Sequence, residues 1–171
     1  MSEKDTTASS TPTPAPSPME LVLQFHHTYS VPIRPFSDPT LDYERMNMRM
    51  SLIAEEFAEL MGAVYGLRAR AIIEAATAEA VAADEGERDV IEAADALADL
   101  VYVVYGMAIE SGMNLDSVLA EVQASNLSKL MPDGSVKLRE DGKVLKGPNF
   151  FQPNIARGLG LESPTDSGEA D

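Results

Sequence analysis

The sequence predicts an all-α protein, a bundle of four to five helices closed by a C-terminal loop or small hairpin. Three observations carry this expectation. Apolar residues recur at spacings of three and four through the middle of the chain, the repeat of a helix face. Residues 93–109 are all apolar, Gly or Tyr apart from Asp95 and Asp99, which reads as one helix buried on nearly all sides. Turn signals are concentrated after Met131, and almost nothing in the chain reads as sheet.

Residues 1–18 hold four Ser, four Thr and four Pro and no aromatic residue. Such a segment cannot bury enough apolar surface to offset its ordering entropy, so a disordered tail is expected. Residues 158–171 read the same way, which leaves one domain over residues 19–157. Within it, Met19–Tyr29 is the first helix, with Leu21, Val22 and Phe25 on one side. Pro32 and Pro35 enforce an extended link. Ser37-Asp38-Pro39 then reads as a capped start, with Pro in the first turn, for a helix running to about Gly66. Its apolar stripe is Met46, Met50, Ile53, Phe57, Leu60 and Val64. The Ala-rich residues 69–82 form a third helix, broken at 83–88. Residues 89–111, closed by Gly112, form the strongest helix. A last helix covers about 117–129, with Asp116 or Asn114 as its cap. Pro132-Asp133-Gly134, Asp141-Gly142 and Gly147-Pro148 mark turns beyond it.

Charge and composition exclude several functions. Thirteen basic residues stand against 28 acidic ones, a net charge of −15, which argues against a phosphate-backbone binder of nucleic acid. There is no Cys, so thiolate zinc sites, disulfides and Cys nucleophiles are absent. The two histidines, His26 and His27, are adjacent, and neither follows a Glu at the spacing a di-iron bundle needs. No signal segment is expected at the start, and no uncharged apolar run approaches the roughly 20 residues of a membrane span. A cytoplasmic location is expected.

Two acidic clusters are candidates for chemistry. Glu55, Glu56 and Glu59 fall within one sector of the second helix, at about 100° of turn per residue. Glu92, Asp95 and Asp99, at spacings of three and four, share a face of the 89–111 helix. Asp95 and Asp99 have only apolar neighbours, and no Lys or Arg lies between Arg88 and Lys129. Burying an unpaired carboxylate is costly, and a divalent cation is the simplest compensation. Oxygen-only ligands favour Mg²⁺, with Mn²⁺ also suited. The plainer reading is that these acids reach solvent at a bundle edge. A basic group follows in the last quarter: Lys129, Lys137, Arg139, Lys143, Lys146 and Arg157, in Gly-rich loops that could wrap a phosphate chain. Asn126 and Lys129 share a helix face, and Tyr102 and Tyr105 read as core.

Glu-Glu-x-x-Glu at 55–59, DALADLVYVVYG at 95–106, NLSK at 126–129 and DGKVLKGPNF at 141–150 occur in that order. Together they resemble the all-α nucleotide pyrophosphohydrolases: MazG-like proteins, dimeric dUTPases and phosphoribosyl-ATP pyrophosphohydrolase. The resemblance spans about residues 21–157 and lies nearest the small MazG-like proteins, including those with dUTPase activity. It implies hydrolysis of a nucleoside triphosphate to the monophosphate and pyrophosphate, with Mg²⁺ or Mn²⁺ on carboxylates from two helices. By this resemblance Glu56 and Glu59 are ligands of the first helix, Glu55 is a ligand or a water-orienting base, and the catalytic carboxylate that orients the water is Glu55 or Glu56. Asp99 matches the last acid of the second motif. The usual Glu-x-x-Asp spacing fails there, because Ala96 stands three residues before Asp99. Asp95 is the favoured partner, with Glu92 secondary. Asn126, Lys129, Lys143 and Lys146 match positions that hold the nucleotide and its phosphates. A homodimer or higher homo-oligomer is implied as well, because the apolar helix needs cover. Two other functions stay open: a helical interaction or regulatory protein with a vestigial site, and phosphoribosyl-ATP hydrolysis.

Overall fold

Ser17 sets the start of the first helix. Its side chain accepts the Glu20 amide, and the Glu20 carboxylate accepts the Ser17 amide at 2.7 Å, a reciprocal capping box with Pro18 in the first turn. The computed structural model describes residues 15–138 and 143–162. Most of both expected tails therefore lies outside the described residues. Ser17 and Pro18 belong to the helix start, Gly158 ends a short helix, and residues 159–160 form the turn that follows it. The helices are α1 (Pro18–Thr28), α2 (Met46–Tyr65), α3 (Leu67–Ala82), α4 (Val90–Glu110), α5 (Leu115–Leu127) and α6 (Ile155–Gly158). Among the described residues the extended structure is one isolated antiparallel bridge, Leu138 to Val144, at the place expected for a hairpin. The all-α expectation holds.

The chain divides into two compact units. The first joins, among the described residues, 15–32 with 113–138 and 144–162. Here α5 packs on α1 and on α6. Tyr29 is the fully buried side chain, and its hydroxyl donates to the Asn126 carbonyl at 2.7 Å, with that of Leu127 at 3.1 Å. The bond supplies a donor to carbonyls at the end of α5 that the helix itself leaves open. Gln123, also buried, donates to the Leu21 carbonyl and to Gln24, tying α5 to α1. Asn114 caps α5 by accepting the Ser117 amide, which decides between the two expected caps.

The second unit holds, among the described residues, 33–112 and Lys143. Its first helix begins later than the sequence predicts. Asp38 is committed to Arg34 at 2.7 Å, residues 36–45 form turns, and α2 starts at Met46 without a side-chain cap. Gly66, with φ at +94°, lets the chain reverse directly into α3. The two helices pack through the small residues Ala54, Ala58 and Gly62, spaced four apart, with Ala58 fully buried. That face is not the stripe predicted as core: Met50, Phe57 and Val64 are exposed.

Helix α4 departs further from expectation. Asp89 caps it by accepting the amides of Ile91 and Glu92. Beyond that, α4 packs extensively on no other helix. Ala108 is its one buried residue, while Val101 is 57% exposed, Val103 61% and Tyr102 80%. Burial on nearly all sides is thus not met within one chain, and Tyr102 is not core. The physical reason is that α3 occupies the small-residue face of α2, and nothing in the described chain covers the rest.

Candidate active site

The second unit carries all the predicted acidic residues. On α2 the three glutamates differ in their partners. Glu55 Oε2 accepts from Lys143 Nζ at 2.8 Å. Glu59 Oε1 lies 3.1 Å from Arg70 Nη2. Glu56 makes no ion pair among the described residues, and all three are exposed. On α4, Glu92, Asp95 and Asp99 are exposed too, and neither Asp95 nor Asp99 has an ion-pair partner among the described residues.

The donor set is all carboxylate oxygen, the chemistry that suits Mg²⁺ or Mn²⁺. Among the described residues, however, no three of His, Asp and Glu come close enough together to hold a metal ion. The chain presents the acids as two sets, Glu55, Glu56 and Glu59 on α2, and Glu92, Asp95 and Asp99 on α4. The cause is the same as for the exposed apolar surface. A helix pair that does not pack cannot bring its polar edges together.

The first unit holds the basic residues of NLSK and KGPNF. Lys129 Nζ donates to Asn126 Oδ1 at 2.7 Å, and lies 5.9 Å from the centre of the Phe25 ring. Lys146 Nζ sits 4.3 Å above the Phe150 ring. The two lysines are close enough to repel. Burial first, and then Lys146, pushes the Lys129 ammonium below the usual lysine range. Neither lysine has a carboxylate partner among the described residues.

Gly147 makes this arrangement possible. Its amide donates to the Lys129 carbonyl at 2.9 Å, and a Cβ there would clash with the Leu130 carbonyl oxygen. Only glycine permits that approach. Two serines complete the fastening: Ser125 Oγ donates to the Phe151 carbonyl at 2.7 Å, and the Phe151 amide donates to Ser128 Oγ at 3.1 Å. The structure therefore brings Asn126, Lys129 and Lys146 together. It assigns Lys143 to the second unit, beside Glu55.

Reading the sequence alone misses Arg70, the aromatic supports Phe25 and Phe150, and the serine fasteners. Arg70 carries a weak signal, since it lies four residues before Glu74 on α3, the spacing of an ion pair. Phe25 carries none, because Lys129 is distant in sequence, and Phe150 stands only four residues after Lys146 but in a loop whose turn the sequence does not specify.

No helix among the described residues is long and apolar enough to cross a membrane. No curated protein matches the chain. Among solved structures, the chain is similar to a candidate NTP pyrophosphohydrolase from Exiguobacterium sp. 255-15. The two are 28% identical with a TM-score of 0.65, and the match covers 84% of this chain and 94% of that one. The family model described as phosphoribosyl-ATP pyrophosphohydrolase matches residues 22–126, a span that holds both acidic clusters and reaches Asn126. With its helical architecture and ordered motifs, the chain belongs to this family, within the all-α NTP pyrophosphohydrolases.

Proposed function

We propose that the protein is a divalent-cation-dependent nucleoside triphosphate pyrophosphohydrolase that acts as a homodimer. It breaks the bond between the α and β phosphates and releases monophosphate and pyrophosphate, a reaction that clears unwanted nucleotides from the cytoplasmic pool. The observation that supports this best is a mismatch of charge. Among the described residues Glu56, Asp95 and Asp99 have no cationic partner and, separately, Lys129 and Lys146 have no anionic one; a divalent cation answers the first and a phosphate group the second.

Glu56 and Glu59 from α2, with Asp95 and Asp99 from α4, would hold Mg²⁺ or Mn²⁺, and Glu92 stands one turn earlier as a secondary ligand. When bound, the cation neutralises the triphosphate and lowers the pKa of a water. Glu55 orients the attacking water, its carboxylate steadied by Lys143 at 2.8 Å. Lys129 and Lys146 meet the phosphate chain, and Asn126 aims Lys129 through its 2.7 Å bond. Lysines placed where charge develops on the leaving pyrophosphate act without reorganising.

Dimerisation enters because one chain leaves both α4 and the predicted stripe of α2 uncovered. A second copy is the partner that covers the same faces on both chains at once. Packing α4 into a shared bundle also brings the two carboxylate sets together.

A nucleotide panel with Mg²⁺ and Mn²⁺ tests the reading. dUTP is ranked first, then dCTP and other deoxynucleotides, with pyrophosphate as the first product seen by chromatography. Orthophosphate as first product, or no turnover of any nucleotide, overturns it. Phosphoribosyl-ATP belongs in the panel, since the matching family model is described by that substrate.

Replacing both Lys143 and Lys146 by Ala should lower kcat/KM by roughly 10²-fold, about 1.4 kcal/mol for each lysine. Steady-state kinetics at saturating metal check this. A change under threefold would remove Lys146 from the phosphate chain and Lys143 from the support of Glu55.

A further inference from the structure

Arg70 lies on α3 where that helix crosses Gly62 of α2. A Cβ at Gly62 would stand 3.1 Å from Arg70 Cβ and 3.5 Å from its Cδ, so the bare glycine seats the arginine stem flat on α2. From this seat the guanidinium grips two carboxylates. Its Nε donates to Glu74 Oε1 at 2.8 Å, and its Nη2 pairs with Glu59 Oε1 at 3.1 Å. The guanidinium side chain is 36% exposed, against 50% for Glu59. Glu74, one turn further along α3, takes Nε and so fixes the plane of the guanidinium, and Nη2 beside it meets Glu59.

An exposed ion pair adds little to folding stability, so its consequence lies in what it does to Glu59. We propose that Arg70 is a positioning residue for the cation site, holding the Glu59 carboxylate in place through Oε1 before a cation would bind. The proposal rests on Glu59 being a cation ligand. Groups that orient metal ligands typically change metal affinity 10- to 100-fold when removed. A bare positive charge at the same place does the opposite, because it repels an incoming cation. The two roles therefore predict effects of opposite sign.

The test is calorimetric titration of the full chain with Mn²⁺, for wild type, Arg70→Lys and Arg70→Ala. Lysine keeps the charge and an aliphatic stem over Gly62, but not the planar fork. Arg70→Lys is expected to weaken Mn²⁺ binding about 10-fold, without lowering Tm. It should raise the Mn²⁺ concentration for half-maximal activity and leave KM for nucleotide at saturating metal nearly unchanged. Arg70→Ala should bind Mn²⁺ at least as weakly. Glu74→Gln, which frees the fork from one side, should shift binding in the same direction by less. Arg70→Lys with wild-type affinity, or Arg70→Ala with tighter binding, overturns the positioning role while leaving the cation site intact. Absence of Mn²⁺ binding in the wild type overturns the cation reading itself, and this proposal with it.

Discussion

Asp99→Asn is expected to lower nucleotide turnover by roughly 10³-fold, about 4 kcal/mol of transition-state stabilisation. The helical spectrum should not change. Asp99 is exposed on α4, has no ion-pair partner among the described residues, and faces Asp95 one turn away. The amide keeps the shape and removes one carboxylate from a like-charged pair at the i, i+4 spacing, which is mildly destabilising on a helix. Thermal unfolding in the presence of a chelator should therefore be unchanged or slightly higher for the variant. With Mg²⁺ present, wild type should gain Tm and Asp99→Asn should gain less, because only the intact ligand set binds the ion in the folded state. Near-native turnover by Asp99→Asn at saturating Mg²⁺ would remove Asp99 from the site.

The helices were legible wherever local chemistry decides them. Asp89 opens α4, Gly66 closes α2 and Asn114 caps α5, and each signal lies within a few residues of its effect. The start of α2 was misread because Ser37-Asp38-Pro39 has the composition of a cap. The Asp38 carboxylate is taken by Arg34, a choice set by the fold of the loop. The face of α2 that meets α3 was also hidden. A large apolar stripe suggests a core more loudly than Ala54, Ala58 and Gly62 do, yet the small residues set the close packing. The acidic candidates could be found because a carboxylate without a local counter-ion stands out even in one dimension. The setting of Lys129 and Lys146 could not, since it depends on Gly147 reaching the end of α5 and on the Phe25 ring far away in sequence.

On the proposed homodimer, replacing Val101 and Val104 together by Glu should leave a monomer and abolish hydrolysis. Both side chains lie on α4, three residues apart, at 57% and 42% exposure in the single chain. A stable dimer needs on the order of 1,200–2,000 Å² of buried surface, and the apolar length of α4 with the stripe of α2 is the surface suited to supply it. In a two-fold dimer each substitution appears twice, so four carboxylates would enter an apolar interface, each unpaired one costing several kcal/mol. The single chain should tolerate them, because neither valine is buried within it. The added negative charge, on a chain already at −15, also keeps a monomer soluble. Light scattering with size-exclusion chromatography gives the mass, and far-UV spectra give the helix content. The decisive comparison is activity against mass. Loss of both with helices retained supports a site completed by the second copy. A monomeric variant with full turnover would show that one chain gathers the two carboxylate sets alone, and a variant that stays dimeric and active would move the interface away from α4.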